Sequence, residues 1–232
     1  MAELYFTSLE SDSNLLAYYR FSNGGLTSDS GTYGRTLYSN GTVSNTALGK
    51  YGYGANLGSR AGSMTNGTDM FSASNLNHPF SLACWIYPTD TSNQSFINFG
   101  TQQQQEVSHF GYDGTQFLFQ MSGWGAGGTV GVTYTATLQT NSWTHVAMTF
   151  DGSTMTGYVN GAAVASASVS IPHGNTTPNV GISVGGDGAS LSTANFPGVI
   201  DDAVYMFRAL TAQEVKQLAV DGTGAIYYEL LN

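Results

Sequence analysis

Two carboxylate side chains on one face of a sheet can together hydrolyse a glycosidic bond. A retaining glycosidase needs carboxyl groups about 5 Å apart. No two glutamates have the spacing that would place them together on one strand; they stand at positions 3, 10, 106, 214 and 229. Asp201 and Asp202 are adjacent, so on a regular strand their side chains point to opposite faces and cannot act together without a bulge. The sequence therefore offers no catalytic carboxylate pair.

The other residues that could do chemistry are scattered. The histidines stand at positions 78, 109, 145 and 173, and Cys84 is the only cysteine, so we predict neither a His/Cys metal cluster nor an intrachain disulfide. The glycine-rich stretch 123–128 is followed by neither a lysine nor a helix, and is not a phosphate loop. Because a nucleophile motif is also missing, we predict that the protein is not an enzyme.

One tryptophan is placed where it could contact a sugar. Trp124 lies among glycines between two predicted strands, and sugars stack on exposed aromatic rings. Together with Tyr112, Asp113 and His109 it forms our candidate glycan-binding site. The alternative is that Trp124 folds back and covers the protein core.

The elements that must position these residues are β-strands. From Val130 to Leu138, apolar residues alternate with threonine or glycine, and this period of two puts one row inside and one row outside. Residues 80–87 are apolar at nearly every position, which is typical of a strand buried on both faces. Asp151-Gly152 and Asn160-Gly161 separate further apolar runs and predict two successive hairpins.

One helix is predicted near the C-terminus. Thr211 and Glu214 match the capping box, in which the two side chains satisfy free backbone N–H groups reciprocally, and Val215 and Leu218 would form the buried face. The sequence thus predicts an all-β antiparallel β-sandwich with one short C-terminal helix. We divide it into an N-terminal arm (1–14), one domain (15–220) and a C-terminal tail (221–232).

The composition limits the partners. Six basic residues face fifteen acidic ones, the formal net charge is -9, and only 9% of residues are charged. Without a basic cluster we expect no nucleic acid and no anionic membrane as partner, and no segment is apolar for long enough to insert into a bilayer. The chain begins without a signal-peptide pattern. We expect an extracellular or virion-surface location, with lysis as one route of release.

A series of motifs runs in a fixed order through most of residues 15–220. They are the opening strand 16–21 with Asp29-Ser30-Gly31 behind it, the segments 49–52 and 55–57, the strand 80–88, the central pieces 141–147, 150–152 and 158–161, and the closing pieces 198–202 and 208–215. In this order they resemble the laminin-G-like jelly roll of the concanavalin A-like lectin and glucanase superfamily. The resemblance implies a jelly roll but no particular function, because this fold carries lectins, glycosidases, adhesion modules and virion proteins.

The resemblance also implies a structural Ca²⁺ ion between the first strand and the closing strand. Asp201 would supply a carboxylate, and backbone carbonyls near Ser22, Tyr51 and Gly52 would complete the oxygen shell. Ser22 departs from the family, which often has Asp at that position. The alternative is that Asp201 only caps the end of a strand.

The closing strand carries a second apolar row. Family core positions fall at Ala203 and Tyr205, so Val204 and Met206 would face outward and would need a cover. The N-terminal arm, tail residues 226–228 or another subunit could supply it. Val204 and Met206 are therefore our candidate assembly residues.

We predict a non-catalytic glycan-binding or adhesion module displayed on a cell or virion surface, with glycans or a surface polysaccharide as partners. The alternative is a structural virion protein, such as a phage decoration or fibre subunit, that uses the sandwich to form a homo-oligomer or to contact capsid or fibre proteins. A glycosidase with an unrecognised site is a more distant alternative.

Overall fold

The computed structural model describes residues 4–21, 25–71, 78–99, 106–123, 128–171, 180–186, 194–221 and 225–229. These residues form eighteen strands, a 3₁₀ helix (Leu9–Ser11) and one α-helix, α1 (Ala212–Asp221). The strands are β1 (Leu4–Ser8), β2 (Leu15–Tyr19), β3 (Tyr38–Gly41), β4 (Ser44–Gly49), β5 (Gly52–Ser59), β6 (Gly62–Phe71), β7 (Phe80–Pro88), β8 (Gln94–Ser95), β9 (Ile97–Phe99), β10 (Glu106–Tyr112), β11 (Gln116–Gly123), β12 (Thr129–Thr135), β13 (Thr144–Phe150), β14 (Thr154–Val159), β15 (Ala162–Ser168), β16 (Val180–Val184), β17 (Pro197–Met206) and β18 (Ala225–Glu229). The predicted fold class, all-β with one short helix, is confirmed.

The larger sheet has the order β15-β14-β13-β7-β17-β5-β4, and β2 also pairs with β17. The burial predicted for the central strand is confirmed, since every residue of β7 except Tyr87 is buried, as is every residue of β13. Asn160 and Gly161 form the predicted turn between β14 and β15, with φ values of 50° and 77°. Asparagine and glycine accept such positive values most easily, which is why this pair marks a hairpin.

Two smaller sheets, β3-β6-β16-β9 and β12-β11-β10-β8, form a second layer over the large sheet. They meet where the Phe96 amide donates to the Phe110 carbonyl at 2.9 Å. The main core lies between the two layers. There the Phe99 ring of the second layer meets the Phe80 and Tyr205 rings of the large sheet at centroid distances of 5.5 and 5.7 Å. The large sheet and the second layer are therefore the two halves of a β-sandwich.

Strand β17 changes its neighbour halfway along its length. Pro197–Ile200 pairs with β5, and Ala203–Met206 pairs with β2. Between these parts the register against β7 shifts, from Asp201 to Val204, and Asp202 has a φ of 47°. This β-bulge adds one residue to the strand. It places both aspartates on the outer face of the large sheet, which a regular strand would not do.

Helix α1 begins at the predicted capping box. The Glu214 amide donates to Thr211 Oγ1 at 3.2 Å, and the Thr211 amide donates to Glu214 Oε2 at 2.7 Å. Together with the 3₁₀ helix, α1 covers part of the outer face of the large sheet and closes a second apolar cluster. Its members are Leu9, Leu15, Tyr18, Ala83, Ala147, Tyr158, Val204, Met206, Leu210, Val215 and Leu218.

The predicted assembly role of Val204 and Met206 is wrong. Their exposed fractions are 2% and 0%, because the chain's own helices cover them. Leu9 comes from the N-terminal arm, so the arm supplies part of the cover. Val215 and Leu218 of α1 cover the same apolar row. The sequence placed this helix within the domain, and its packing on Val204 and Met206 was not predicted.

The predicted arm and tail pair with each other. Strands β1 and β18 form a two-stranded antiparallel sheet, with Leu4 opposite Glu229 and Ser8 opposite Ala225. The two ends of the described chain therefore meet. None of the helices in the described ranges has the length and apolar character needed to cross a bilayer.

Candidate functional site

A row of aromatic and acidic side chains crosses the outer face of the large sheet. His145 on β13 and Asp201 on β17 both lie opposite Trp85 on β7. The Trp85 ring meets the His145 ring edge-on at 5.2 Å, and Lys50 Nζ lies 4.2 Å from the centre of the Trp85 ring. Trp85 is buried on this outer face, outside the main core.

Asp201 is almost completely buried, and backbone groups satisfy its carboxylate. Oδ2 accepts a hydrogen bond from the Tyr51 amide at 3.2 Å, and Oδ1 accepts one from the Asp202 amide at 2.9 Å. Burial raises the pKa of Asp201 to about 6, although these amides and that of Lys50 oppose the rise. The carboxylate therefore binds the 50–51 turn to the bulge in β17.

This arrangement does not favour the predicted Ca²⁺ ion. A Ca²⁺ ion needs oxygen lone pairs, whereas the groups around the Asp201 carboxylate are N–H donors. In the part of the chain that the structure describes, no three His, Cys, Asp or Glu residues are grouped so that they could hold a metal. Ser22, one of the predicted ligands, lies outside the described residues. Calcium binding at Asp201, Tyr51 and Gly52 stays an untested sequence-based prediction, and these hydrogen bonds favour its alternative, in which Asp201 caps the end of a strand.

Asp202 faces the second apolar cluster from the bulge. Its Oδ1 accepts a hydrogen bond from Tyr18 Oη at 2.8 Å. Burial and the neighbouring charge of Asp201 raise the pKa of Asp202 to about 7. The bulge thus forms a pair of carboxyl groups that both hold their protons more tightly than an exposed aspartate does.

The structure separates Tyr112, Asp113 and His109, the three residues of the predicted glycan site that it describes. Tyr112 is 2% exposed, packs in the main core against Phe117, and donates its hydroxyl to the Ala136 carbonyl at 3.1 Å. Its assignment to a sugar site is wrong, because a buried ring cannot stack on a ligand. The sequence alone does not decide whether Tyr112 is buried, because that depends on which set of alternate residues in β10 faces the core.

Asp113 lies at one end of the hairpin that β10 and β11 form. Asp113 forms the tip between β10 and β11, where its Oδ1 accepts the Thr115 and Gln116 amides, both at 2.9 Å. At the other end Gly123, the residue before Trp124, pairs with Glu106. The strands between them are about 20 Å long, and Trp124 itself lies outside the described residues. Asp113 therefore acts as a turn-forming residue away from that end.

His109 is exposed on the outer face of the second layer. Its Nε2 lies 2.8 Å from Ser122 Oγ on the neighbouring strand. The registers of β10, β11 and β12 align His109 with Gln120 and Gly131 in one row, and Ser122 with Thr129 in the next. These side chains point away from the core and are exposed or half-buried. The predicted outward-facing threonine row is confirmed at Thr129 and Thr133.

We call this surface the polar face; it comprises His109, Leu118, Gln120, Ser122, Thr129, Gly131 and Thr133. Apart from Leu118 and Gly131, its residues offer hydroxyl, amide or imidazole groups, and none of its side chains is a carboxylate, an ammonium or a guanidinium. Gly131 adopts a φ of 144°, and a Cβ there would lie 2.2 Å from the Phe119 carbonyl oxygen. Only glycine fits at position 131, so the polar face has no side chain there, directly beside Gln120.

Two exposed tyrosines were not among the residues predicted from the sequence to contact a sugar. Tyr33 and Tyr38 have exposed fractions of 58% and 64%. Tyr38 lies opposite Thr65 on β6, and Thr65 lies opposite Ser183 on β16, so the Tyr38 ring belongs to the outer face of the second layer. The signal in the sequence was an aromatic residue beside short polar ones, which many loops share.

Comparison with known proteins supports this architecture. Residues 63–216 match the protein family described as the concanavalin A-like lectin/glucanases superfamily. Among curated proteins, no sequence matches the chain.

Several solved structures are similar to the chain. One is domain 4 of AbnA, a GH43 extracellular arabinanase from Geobacillus stearothermophilus, in complex with arabinotriose. It has 23% identity and a TM-score of 0.68, and the match covers 89% of this chain and 98% of that one. The binding domain of botulinum neurotoxin serotype G has 18% identity and a TM-score of 0.61, over 89% of this chain and 50% of that one. The binding domain of botulinum neurotoxin DC, in complex with rat synaptotagmin II, has 14% identity and a TM-score of 0.62, over 89% and 51%. The chain thus spans about half the length of the neurotoxin domains and nearly all of the arabinanase domain.

Proposed function

Since the chain belongs to the concanavalin A-like lectin/glucanase superfamily, we propose that it is a non-catalytic module that binds neutral oligosaccharides on its polar face. The composition of that face carries the proposal. Sugar hydroxyls are recognised by a few well-placed polar groups, and His109, Gln120, Ser122 and Thr133 present such groups on three adjacent strands. The arabinotriose bound to the similar arabinanase domain supports a carbohydrate as the ligand class.

The distribution of charge favours a neutral glycan. No lysine or arginine occurs between Arg60 and Arg208, so strands β6 to β16 contain no basic residue. A uronate or sialate carboxylate would find no cationic partner there, and the net charge of -9 would repel it. A neutral sugar chain needs hydrogen bonds only, and the polar face supplies them.

The position of the acidic residues supports a binding role without hydrolysis. Asp201 lies beneath the 50–51 turn, and Asp202 lies beside the second apolar cluster. Glu214 pairs with Arg208 and caps α1. A glycosidase needs two carboxyl groups on either side of an open cleft, and these three are already engaged in holding the fold together.

Display on a cell or virion surface is the setting that we propose for this module, with adhesion as its role. The low fraction of charged residues, 9%, and the uncharged polar strands support that setting. The alternative of a structural virion protein loses its two candidate assembly residues, Val204 and Met206, to the chain's own core. Immunolabelling of intact source particles or cells would test the location.

A glycan array followed by calorimetry on the strongest ligand tests the proposed function. We expect binding to neutral oligosaccharides that changes little with salt. The double variant His109→Ala/Gln120→Ala should weaken it roughly tenfold or more, since each lost hydrogen bond is worth about 1 kcal/mol. Tyr38→Ala would reveal whether the exposed ring also contributes.

Thr156→Ala is the matched control, because Thr156 lies on β14, on the opposite face of the sandwich, and bonds to Ser166 at 3.0 Å. It should leave the affinity unchanged. A second variant, Gln120→Lys, should add binding to acidic oligosaccharides by supplying the missing cation. Equal losses in the double variant and in Thr156→Ala would overturn the proposed site, and preferential binding of acidic glycans by the wild type would overturn the ligand class.

A further inference from the structure

A small cavity lies on the outer face of the large sheet, under α1. Four polar side chains line it, those of Tyr18, Trp85, His145 and Asp202, and Leu218 of α1 is part of its wall. Its volume is about 10 Å³, which is roughly the space that one water molecule needs. The cavity lies beside the bulge of β17, on the side away from the main core.

Three buried polar atoms at this cavity have no hydrogen-bond partner among the residues that the structure describes. They are Trp85 Nε1, His145 Nδ1 and Asp202 Oδ2. Trp85 and His145 are 5% and 2% exposed, so bulk water does not serve them. The fourth polar group, Tyr18 Oη, is already bonded to the other oxygen of Asp202 at 2.8 Å. Leaving a buried polar group unsatisfied costs about 1–3 kcal/mol, so three around one cavity point to a bound partner.

We propose that one permanently bound water molecule occupies this cavity and bonds to Trp85, His145 and Asp202. The partner must accept a hydrogen bond, because the indole N–H only donates. It must also donate one, because an ionised Asp202 only accepts. A metal ion fails the first requirement, whereas a water molecule meets both and can still bond to the imidazole nitrogen. Three bonds are also the usual number for a buried water.

The water would join three strands at the bulge of β17. His145 is on β13, Trp85 on β7, and Asp202 on β17 where that strand changes its neighbour. The bulge leaves the ladder between β7 and β17 interrupted there. A water bonded to all three side chains replaces the missing cross-strand link, and α1 keeps it from exchanging quickly with the solvent.

Indole N–H resonances provide a direct test. The chain has three tryptophans, so its three indole signals can be assigned by single Trp→Phe variants. We expect the Trp85 indole proton to show a cross-peak to a long-lived bound water and to exchange slowly with the solvent. Trp143 is the control. It is half-buried directly before β13 and does not line the cavity, so its indole proton should show no such cross-peak. A Trp85 indole proton without a bound-water cross-peak would contradict the proposal.

A crystal structure grown in MnCl₂ is the second measurement, and it identifies the occupant. We expect one density peak at hydrogen-bonding distance from all three atoms, with no anomalous signal. This peak should be lost in Trp85→Phe and retained in Trp143→Phe. An anomalous peak would show that a cation, and not a water molecule, binds in the cavity, which would contradict the proposal. An empty cavity in the wild type would also overturn it. Because neither experiment involves a glycan, their failure would leave the proposed function untouched.

Discussion

Arg208 and Glu214 form a two-bond ion pair, with Nη1 2.9 Å from Oε2 and Nη2 2.7 Å from Oε1. Arg208 Nε also bonds to Asp12 Oδ2 at 2.8 Å. One guanidinium therefore holds both elements that cover the second apolar cluster, the N-terminal arm through Asp12 and helix α1 through Glu214. The Glu214 side chain is only 3% exposed and the Arg208 side chain is 22% exposed, so most of the ion pair is shielded from the solvent.

Arg208→Met should therefore destabilise the protein strongly. Removing one partner of a buried ion pair leaves the other charge uncompensated, at a cost of about 3–5 kcal/mol. Urea denaturation measures the loss. The control is Arg20→Met, because the Arg20–Glu10 pair is 36% and 39% exposed and should be worth less than about 1 kcal/mol. Similar losses in both variants would contradict the role of Arg208.

Met206→Ala tests the conclusion that the second apolar row is internal. Truncating a fully buried methionine should cost about 2–5 kcal/mol, because it leaves a cavity. The mass measured by light scattering should be the same as that of the wild type. Val220→Ala, at a position that is 66% exposed, should change stability by less than about 0.5 kcal/mol. A Met206→Ala protein that keeps its stability but changes its oligomeric state would restore the assembly role.

The stability should fall as the pH rises from about 6.5 to about 8. Burial raises the pKa of Asp202 to about 7 and that of Asp201 to about 6, above the value of about 3.9 in an unfolded chain. Their contribution to stability is thus fully present below about pH 4 and lost as the pH rises through 6 and 7. Burial lowers the pKa of His145 to about 3, so its contribution is lost only as the pH falls below about 6.5.

Denaturation midpoints measured across this range would check the sign. Asp202→Asn keeps an oxygen for the Tyr18 hydroxyl and cannot ionise, so its midpoint should depend less on pH above about 6.5 than that of the wild type. A wild-type midpoint that rises over the same interval would show that the two carboxyl groups are not the dominant titrating groups.

Removal of divalent cations tests the calcium prediction. Because backbone amides already satisfy the Asp201 carboxylate, we expect EDTA to leave the thermal midpoint unchanged. Asp201→Ala should lower that midpoint equally with and without Ca²⁺, since it removes the bonds to the 50–51 turn. A midpoint that rises with Ca²⁺ in the wild type but not in Asp201→Ala would support the metal instead.

Local patterns in the amino-acid sequence determined much of the fold. The turn at Asn160-Gly161, the capping box of Thr211 and Glu214, and the doubly buried strand β7 were all predicted. Each is marked by residues close together in sequence, so it can be predicted without knowledge of the contacts between distant segments. The order of such motifs was also sufficient to indicate the family.

Only the tertiary structure decided the sites. Whether Tyr112 is a ligand or a core residue depends on which face of β10 meets the large sheet, and a shift of one residue would reverse the answer. Asp201 and Asp202 share a face because β17 changes its neighbour between them, from β5 to β2. Val204 and Met206 are internal because an arm and a helix from opposite ends of the chain cover them. These outcomes depend on contacts between distant segments, and a periodicity read along one strand carries no information about what packs against it.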